Sequence, residues 1–249
     1  MIILFVATAS FAAGFINAVA GGGSFLTFPA LIAAGLPAIN ANASNTVALF
    51  PGQIATGYMA RDGLAAAAAD HRVNVPMLAA ISLAGGFLGG LLLLVTSQAL
   101  FSKIVPWLLL FATAVFAAGN FMPIGGSRYR LNRPMMLLTQ GVLAIYGGYF
   151  GGGAGILMLS ALTLYGLRDL WLMNSLKILL VMLMNAAAVV AFVAAGIVHW
   201  PMTLLVASCS MIGGLTGLRA VRRVPAPVVK GFVVTTGLAL TVYFFMKPA

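Results

Sequence analysis

Ala18-Val19-Ala20-Gly21-Gly22-Gly23-Ser24-Phe25 and Gly148-Tyr149-Phe150-Gly151-Gly152-Gly153-Ala154-Gly155 are the two places where long apolar runs of this chain are cut by three consecutive glycines. Glycine costs about 1 kcal/mol per residue relative to alanine inside a helix, so a triplet breaks a helix and does more than narrow it. The apolar run after the first triplet, residues 24–34, is too short to cross a bilayer. At ~1.5 Å per residue it reaches ~16 Å, about half of the ~30 Å hydrocarbon thickness. Each triplet therefore reads as the tip of a helical hairpin that enters and leaves the membrane on one side.

The composition around these breaks leaves little choice of class. Of 249 residues 62% are apolar and 6% charged, with a mean hydropathy of +1.10, whereas a soluble domain carries roughly 25% charged residues. A water-soluble fold is excluded, as are disorder, which needs many charges, and collagen, which needs a three-residue glycine period. The apolar runs are continuous over about 20 residues, the length of a membrane helix and not of a barrel strand. Cys209 is the single cysteine and lies in an apolar run, which makes it a small packing residue. The net charge of +10 comes from 13 Lys and Arg spread thinly between apolar segments, a pattern suited to anionic lipid and not to nucleic acid. Ala18-Val19-Ala20 looks like a signal-peptide cleavage site, but no Lys or Arg precedes it, so the first segment is read as a mature span.

Outward from the triplets, the order of segments recurs. A run at 2–20, a glycine break, a short run at 24–34 and spans at 40–60, 75–96 and 104–122 are followed by a run at 134–150, a second break, a short run at 156–165 and spans at 170–196, 201–218 and 228–246. Val75-Pro76-Met77 corresponds to Trp200-Pro201-Met202, and Gly85-Gly86 with Gly89 to Gly213-Gly214 with Gly217. This is an internal duplication, with repeats at 1–127 and 128–249. Gly85, Gly86, Gly89, Gly90, Gly213, Gly214 and Gly217 sit inside uninterrupted spans and read as close-packing positions.

If each triplet tips a hairpin, loops 61–74, 123–133, 166–169 and 219–227 share one face. That face holds Arg61, Arg72, Arg128, Arg130, Arg133, Arg168, Arg219, Arg222, Arg223 and, just inside a span, Lys230, against Lys103 and Lys247 on the other. The asymmetry makes the first face cytoplasmic and puts both termini in the periplasm of a bacterial inner membrane. A hairpin plus three spans returns each half on the opposite side, so the expected fold is an all-α polytopic membrane protein of two inverted-topology repeats. Counting each broken run as one crossing gives parallel repeats instead.

Backbone that leaves the helix within a bilayer needs a polar interior. The helices restarting at Ser24 and near Gly155 each present free N–H groups and about half a positive charge, and glycine lets a solute approach the backbone. Two such ends meeting near the midplane make an anion site. The expected ligands are Gly21, Gly22, Gly23, Ser24, Asn45, Thr46, Gly151, Gly152, Gly153, Asn174 and Lys177. Lys177 is the one charge well inside a span, with no intramembrane acid to pair with; the alternative is that it snorkels to the headgroups. Asn and Ser near the breaks have a plainer role as hydrogen-bonding glue between helices. Neither triplet completes a nucleotide-binding loop, H-E-x-x-H and G-x-S-x-G are absent, and His71 and His199 are far apart in sequence, so no enzyme, metal or cofactor is expected.

Gly14-Phe-Ile-Asn-Ala-Val-Ala-Gly-Gly-Gly-Ser-Phe-Leu-Thr-Phe-Pro29, then Gly35-Leu-Pro37 and Asn42-Ala-Ser-Asn-Thr46, resembles the first repeat of the TauE/SafE (sulfite exporter) family. Gly147-Gly-Tyr-Phe-Gly-Gly-Gly-Ala-Gly155 resembles its second. The resemblance implies membrane transport of sulfite, a sulfonate or a related small anion. The second half departs from the usual pattern at Arg168-Asp-Leu-Trp-Leu-Met-Asn174. Without a buried carboxylate for proton coupling, export driven by the inside-negative potential is the leading expectation. The alternatives are cation-coupled uptake, with hairpin-tip carbonyls holding the cation, and an intramembrane enzyme or assembly subunit. The partners expected are the small anion and membrane lipids, with a second copy of the chain as a further candidate for a homodimer.

Overall fold

The computed structural model describes residues 1–19, 22–68, 73–121, 131–220 and 226–246. These form helices α1 (Ile2–Val19), α2 (Ser24–Ala33), α3 (Ala38–Met59), α4 (Arg61–Ala68), α5 (Val75–Val95), α6 (Gln98–Phe121), α7 (Arg133–Tyr149), α8 (Ala154–Leu164), α9 (Leu170–Ala194), α10 (Trp200–Ala220) and α11 (Ala226–Met246), with no strand among the described residues. Both triplets interrupt the helical path, between α1 and α2 and between α7 and α8. Gly21, Asp70, His71, Arg72, Arg128, Arg130, Arg222, Arg223, Lys247 and the 127/128 boundary lie outside the described residues.

Two expectations are corrected: the span read as starting at 104 begins at Gln98, where the Ser97 hydroxyl accepts from Leu100 N–H at 3.3 Å, and a stretch read as loop is helix. Residues 61–68, read as loop, are helical, because the alanine run from Ala65 has the highest intrinsic helix propensity of any residue type. Gly63 lets α4 lie directly on Ser175 and Trp171 of α9, where a Cβ would collide with the Ser175 hydroxyl.

Turn chemistry repeats between the halves. After α2, Gly35 at φ +92° donates to Ile32 O at 2.9 Å and Leu36 N–H to Leu31 O at 3.2 Å. After α8, Gly166 at φ +93° donates to Thr163 O at 3.0 Å and Leu167 N–H to Leu162 O at 3.2 Å. Both are left-handed glycine stops that satisfy the last carbonyls of a helix. Likewise Asn74 Oδ1 caps Met77 N–H at 3.0 Å at the start of α5, and His199 Nδ1 caps Met202 N–H at 3.4 Å at the start of α10. Proline in the first turn of each costs no hydrogen bond.

Packing follows the same correspondence. Helix α1 packs on α10 and its counterpart α7 packs on α5; α5 also packs on α9 and its counterpart α10 on α3; α6 packs on α11. Glycines bring the backbones together: of those expected to do so, Gly213 would strike the Phe11 carbonyl with a Cβ and Gly89 the Ile145 carbonyl, and two not so expected, Gly14 and Gly148, would strike the Ser210 and Gly86 carbonyls. Two apolar cores result. One gathers Val6 of α1, Phe28 and Leu31 of α2, Ala41 of α3, Phe101 of α6 and Val206 of α10. The other gathers Ala67 of α4, Leu78 of α5, Met136 of α7, Met158 of α8 and Leu176 of α9. Each core draws helices from both halves.

Val75–Val95, Gln98–Val115 and Leu170–Ala194 are long and apolar enough to cross a membrane by length and composition. Helix α3 has 22 residues, a reach of ~33 Å, and is kept polar by Asn40, Asn42, Ser44, Asn45, Thr46 and Gln53. Leu83, Phe87, Leu88, Leu91, Leu92 and Val95 are exposed along α5, an apolar stripe that suits lipid and not water.

Candidate functional site

The breaks place chemistry by what the backbone does there. Gly22 (φ +95°), Gly151 (φ +78°) and Gly153 (φ +73°) take left-handed conformations open to glycine. Past the first break, α2 starts at Ser24, and the Gly23 N–H reaches Asn17 Oδ1 at 3.5 Å. Past the second, Ile156 and Leu157 donate to Gly153 O at 3.0 and 3.1 Å, while the N–H groups of Gly152, Gly153 and Gly155 have no acceptor among the described residues. Those are the free donors of a helix N-terminus.

The two breaks meet at one cleft. Ser24, Asn42, Asn45 and Gly152 line its polar side, and Phe25, Phe28, Phe150 and Leu109 its apolar side. Phe28 and Phe150 meet edge to face, with centroids 5.7 Å apart. Thr27 donates its hydroxyl to Asn45 Oδ1, which leaves the Asn45 amide N–H groups for the cleft. Asn42 Nδ2 donates to Tyr149 O at 2.9 Å, tying α3 to the end of α7, and Tyr146 donates its hydroxyl to Gly152 O at 2.6 Å, holding the second tip in place. The lining has hydroxyl, amide and backbone donors and no carboxylate, an arrangement that accepts a solute rich in lone pairs. Its free space amounts to roughly one water molecule, so a four-heavy-atom oxyanion enters only if the walls part.

Ser24, Asn45 and Gly152 are thus brought together. Gly22, Gly23, Gly151 and Gly153 form the tips beside them, and Gly21 lies outside the described residues. Thr46 donates to Asn42 O of its own helix at 3.0 Å. Asn174 and Lys177 do not line the cleft: Lys177 Nζ donates to Asn174 Oδ1 at 2.6 Å, and its Cδ lies 3.7 Å from where a Gly155 Cβ would stand. Counting from the starts of α3 and α9 at Ala38 and Leu170, Asn42 matches Asn174, Asn45 matches Lys177 and Gln53 matches Asn185. Lys177 therefore occupies in the second half the place that Asn45 holds in the first. Asn42 is absent from the expected ligand set, although it lies one turn before Asn45 on the same face, a spacing that could have found it.

The chain matches the family described as sulfite exporter TauE/SafE over residues 6–244. It belongs to that family. This TauE/SafE chain is 30% identical over 250 residues to the probable membrane transporter protein ORF9 of Sinorhizobium sp, covering 99% of this chain and 94% of the relative. It is 31% identical over 215 residues to the probable membrane transporter protein YfcA of Escherichia coli K12, covering 84% and 77%, and 28% identical over 240 residues to a probable membrane transporter protein of Haemophilus influenzae, covering 93% and 89%. No solved structure matches it. The TauE/SafE chain is a helical membrane protein of a transporter family.

Proposed function

We propose that the protein carries a small oxyanion, sulfite or an organosulfur anion, across the bacterial inner membrane by alternating access, with export as its direction. The observation that carries this reading is the meeting of Ser24 and Gly152, each at the start of an interrupted helix, in one cleft without a carboxylate. The family's description as sulfite exporters supports the substrate class. Partial positive charge at two helix starts and amide donors hold the anion, and Lys177 with Asn174 offers it a cationic station beside α8. A two-fold relation between the repeats is supported by the exchange of packing partners between counterpart helices, and its inverted form by the arginine asymmetry of the loops. The moving bodies are then built on the two apolar cores and not on the two sequence halves, with α5 and α9 joining them, since Leu93, Ala188 and Phe192 belong to the first core and Leu78 and Leu176 to the second.

Thermal-shift titration of purified protein with sulfite, sulfate, thiosulfate, sulfonates and carboxylates tests the site. A sulfur oxyanion is expected to stabilise the wild type, Asn45→Ala to lose that shift while remaining folded, and Lys177→Ala to weaken it. Unchanged binding in both variants refutes it.

A further inference from the structure

Asn185 lies on α9 at the position that matches Gln53 of α3, and the two pair with each other: Asn185 Nδ2 donates to Gln53 Oε1 at 2.9 Å. The other end of the same amide is unanswered. Asn185 is 6% exposed, and its Oδ1 is fully buried with no hydrogen-bond donor. An acceptor stranded in a membrane interior is costly, so it points to an occupant.

The space it faces is beside the second break. A Cβ on Gly151 would stand 3.9 Å from Asn185 Oδ1 and 3.3 Å from Gly147 O. Gly147 O also lacks a donor among the described residues, because the N–H groups of Phe150 and Gly151 both go to Tyr146 O, at 2.9 and 3.3 Å. Two unanswered oxygens therefore flank Gly151 in close packing, at the C-terminal, negative end of α7.

We infer that Asn185 Oδ1 and the Gly147 carbonyl bind a monovalent cation when the packing around Gly151 parts to admit it. Both ligands are neutral oxygens, and no group of three His, Cys, Asp or Glu suited to a metal occurs among the described residues; a divalent ion would call for carboxylates. One residue along the break, Gly152 lines the anion cleft from the positive end of α8. The same interruption thus presents its negative end to a cation and its positive end to an anion, the division of labour expected of a broken membrane helix. The cation site does not depend on the anion reading, since it is measured with no oxyanion present.

The test is thermal unfolding of the purified full chain in detergent, in sodium, potassium or choline chloride at equal ionic strength. Sodium or potassium is expected to raise Tm saturably over choline, Asn185→Ala to abolish the rise, and Ser82→Ala, which removes a buried hydroxyl bonded to Gln140 away from the break, to retain it. If Asn185→Ala does not fold, Asn185→Asp keeps the size and adds a charge, and is expected to bind the same cation at least tenfold more tightly. Equal Tm in all three salts, or a sodium response unchanged in either Asn185 variant, overturns the assignment.

Discussion

At the residue scale, Thr27 and Asn45 decide whether the cleft keeps its donors in place. Thr27 is buried, and its hydroxyl fixes which way the Asn45 amide faces. Thr27→Val keeps the shape and removes the bond. It is expected to cost about 1 kcal/mol of stability and to weaken oxyanion binding by more than that stability loss accounts for, as read by parallel unfolding and thermal-shift titrations. The glycine tips, Ser24 and Asn45 were legible in the sequence because a triplet acts through the backbone alone and the polar residues sit within one hairpin. Lys177 was legible as an unusual charge, but not its distance from the cleft. A helical wheel gives a residue's face and not the neighbour that face meets. Asn174 and Asn185 share a stripe for the same reason, yet they lie ~16 Å apart along α9; Asn174 is exposed and Asn185 buried against Gln53.

At the element scale, glycines do two different jobs, and substitution separates them. Gly86 faces the backbone of Met184, which leaves no room for a Cβ, so Gly86→Ala is expected to lose about 1–3 kcal/mol through overpacking between α5 and α9. Gly35 has nothing near its absent side chain but sits at φ +92°. Gly35→Ala is expected to cost about 1–2 kcal/mol through backbone strain alone, with helix contacts intact. Denaturant midpoints in detergent, combined with cysteine crosslinking between α5 and α9, distinguish the two: only the Gly86 variant is expected to lose the crosslink. Apart from the start of α6, six residues earlier than expected at Gln98, the spans were readable to within a few residues because apolar length and Pro/Gly punctuation are local signals. Helix α4 was not, since a short alanine-rich helix is too brief to span and its docking rests on Gly63 meeting a segment more than a hundred residues away.

At the scale of the whole molecule, sidedness is open to a direct measurement. In a Cys209→Ser background, Ser97→Cys and Ala195→Cys are both expected to react with a membrane-impermeant thiol reagent added outside intact cells, and Ala65→Cys on α4 only after permeabilisation; labelling of Ser97→Cys and Ala195→Cys from opposite sides would remove the inverted arrangement. The recurring order of motifs was legible in the sequence, but the choice of packing partners was not, because local sequence says nothing about which helix another will meet. That choice governs biosynthesis. As the nascent chain leaves the ribosome, α1 enters the bilayer with its glycine seam bare, and its mate α10 is nearly two hundred residues from being made. A messenger truncated midway is therefore expected to yield a fragment open to proteolysis, and two halves made as separate polypeptides in one cell are expected to recover it by pairing α1 with α10.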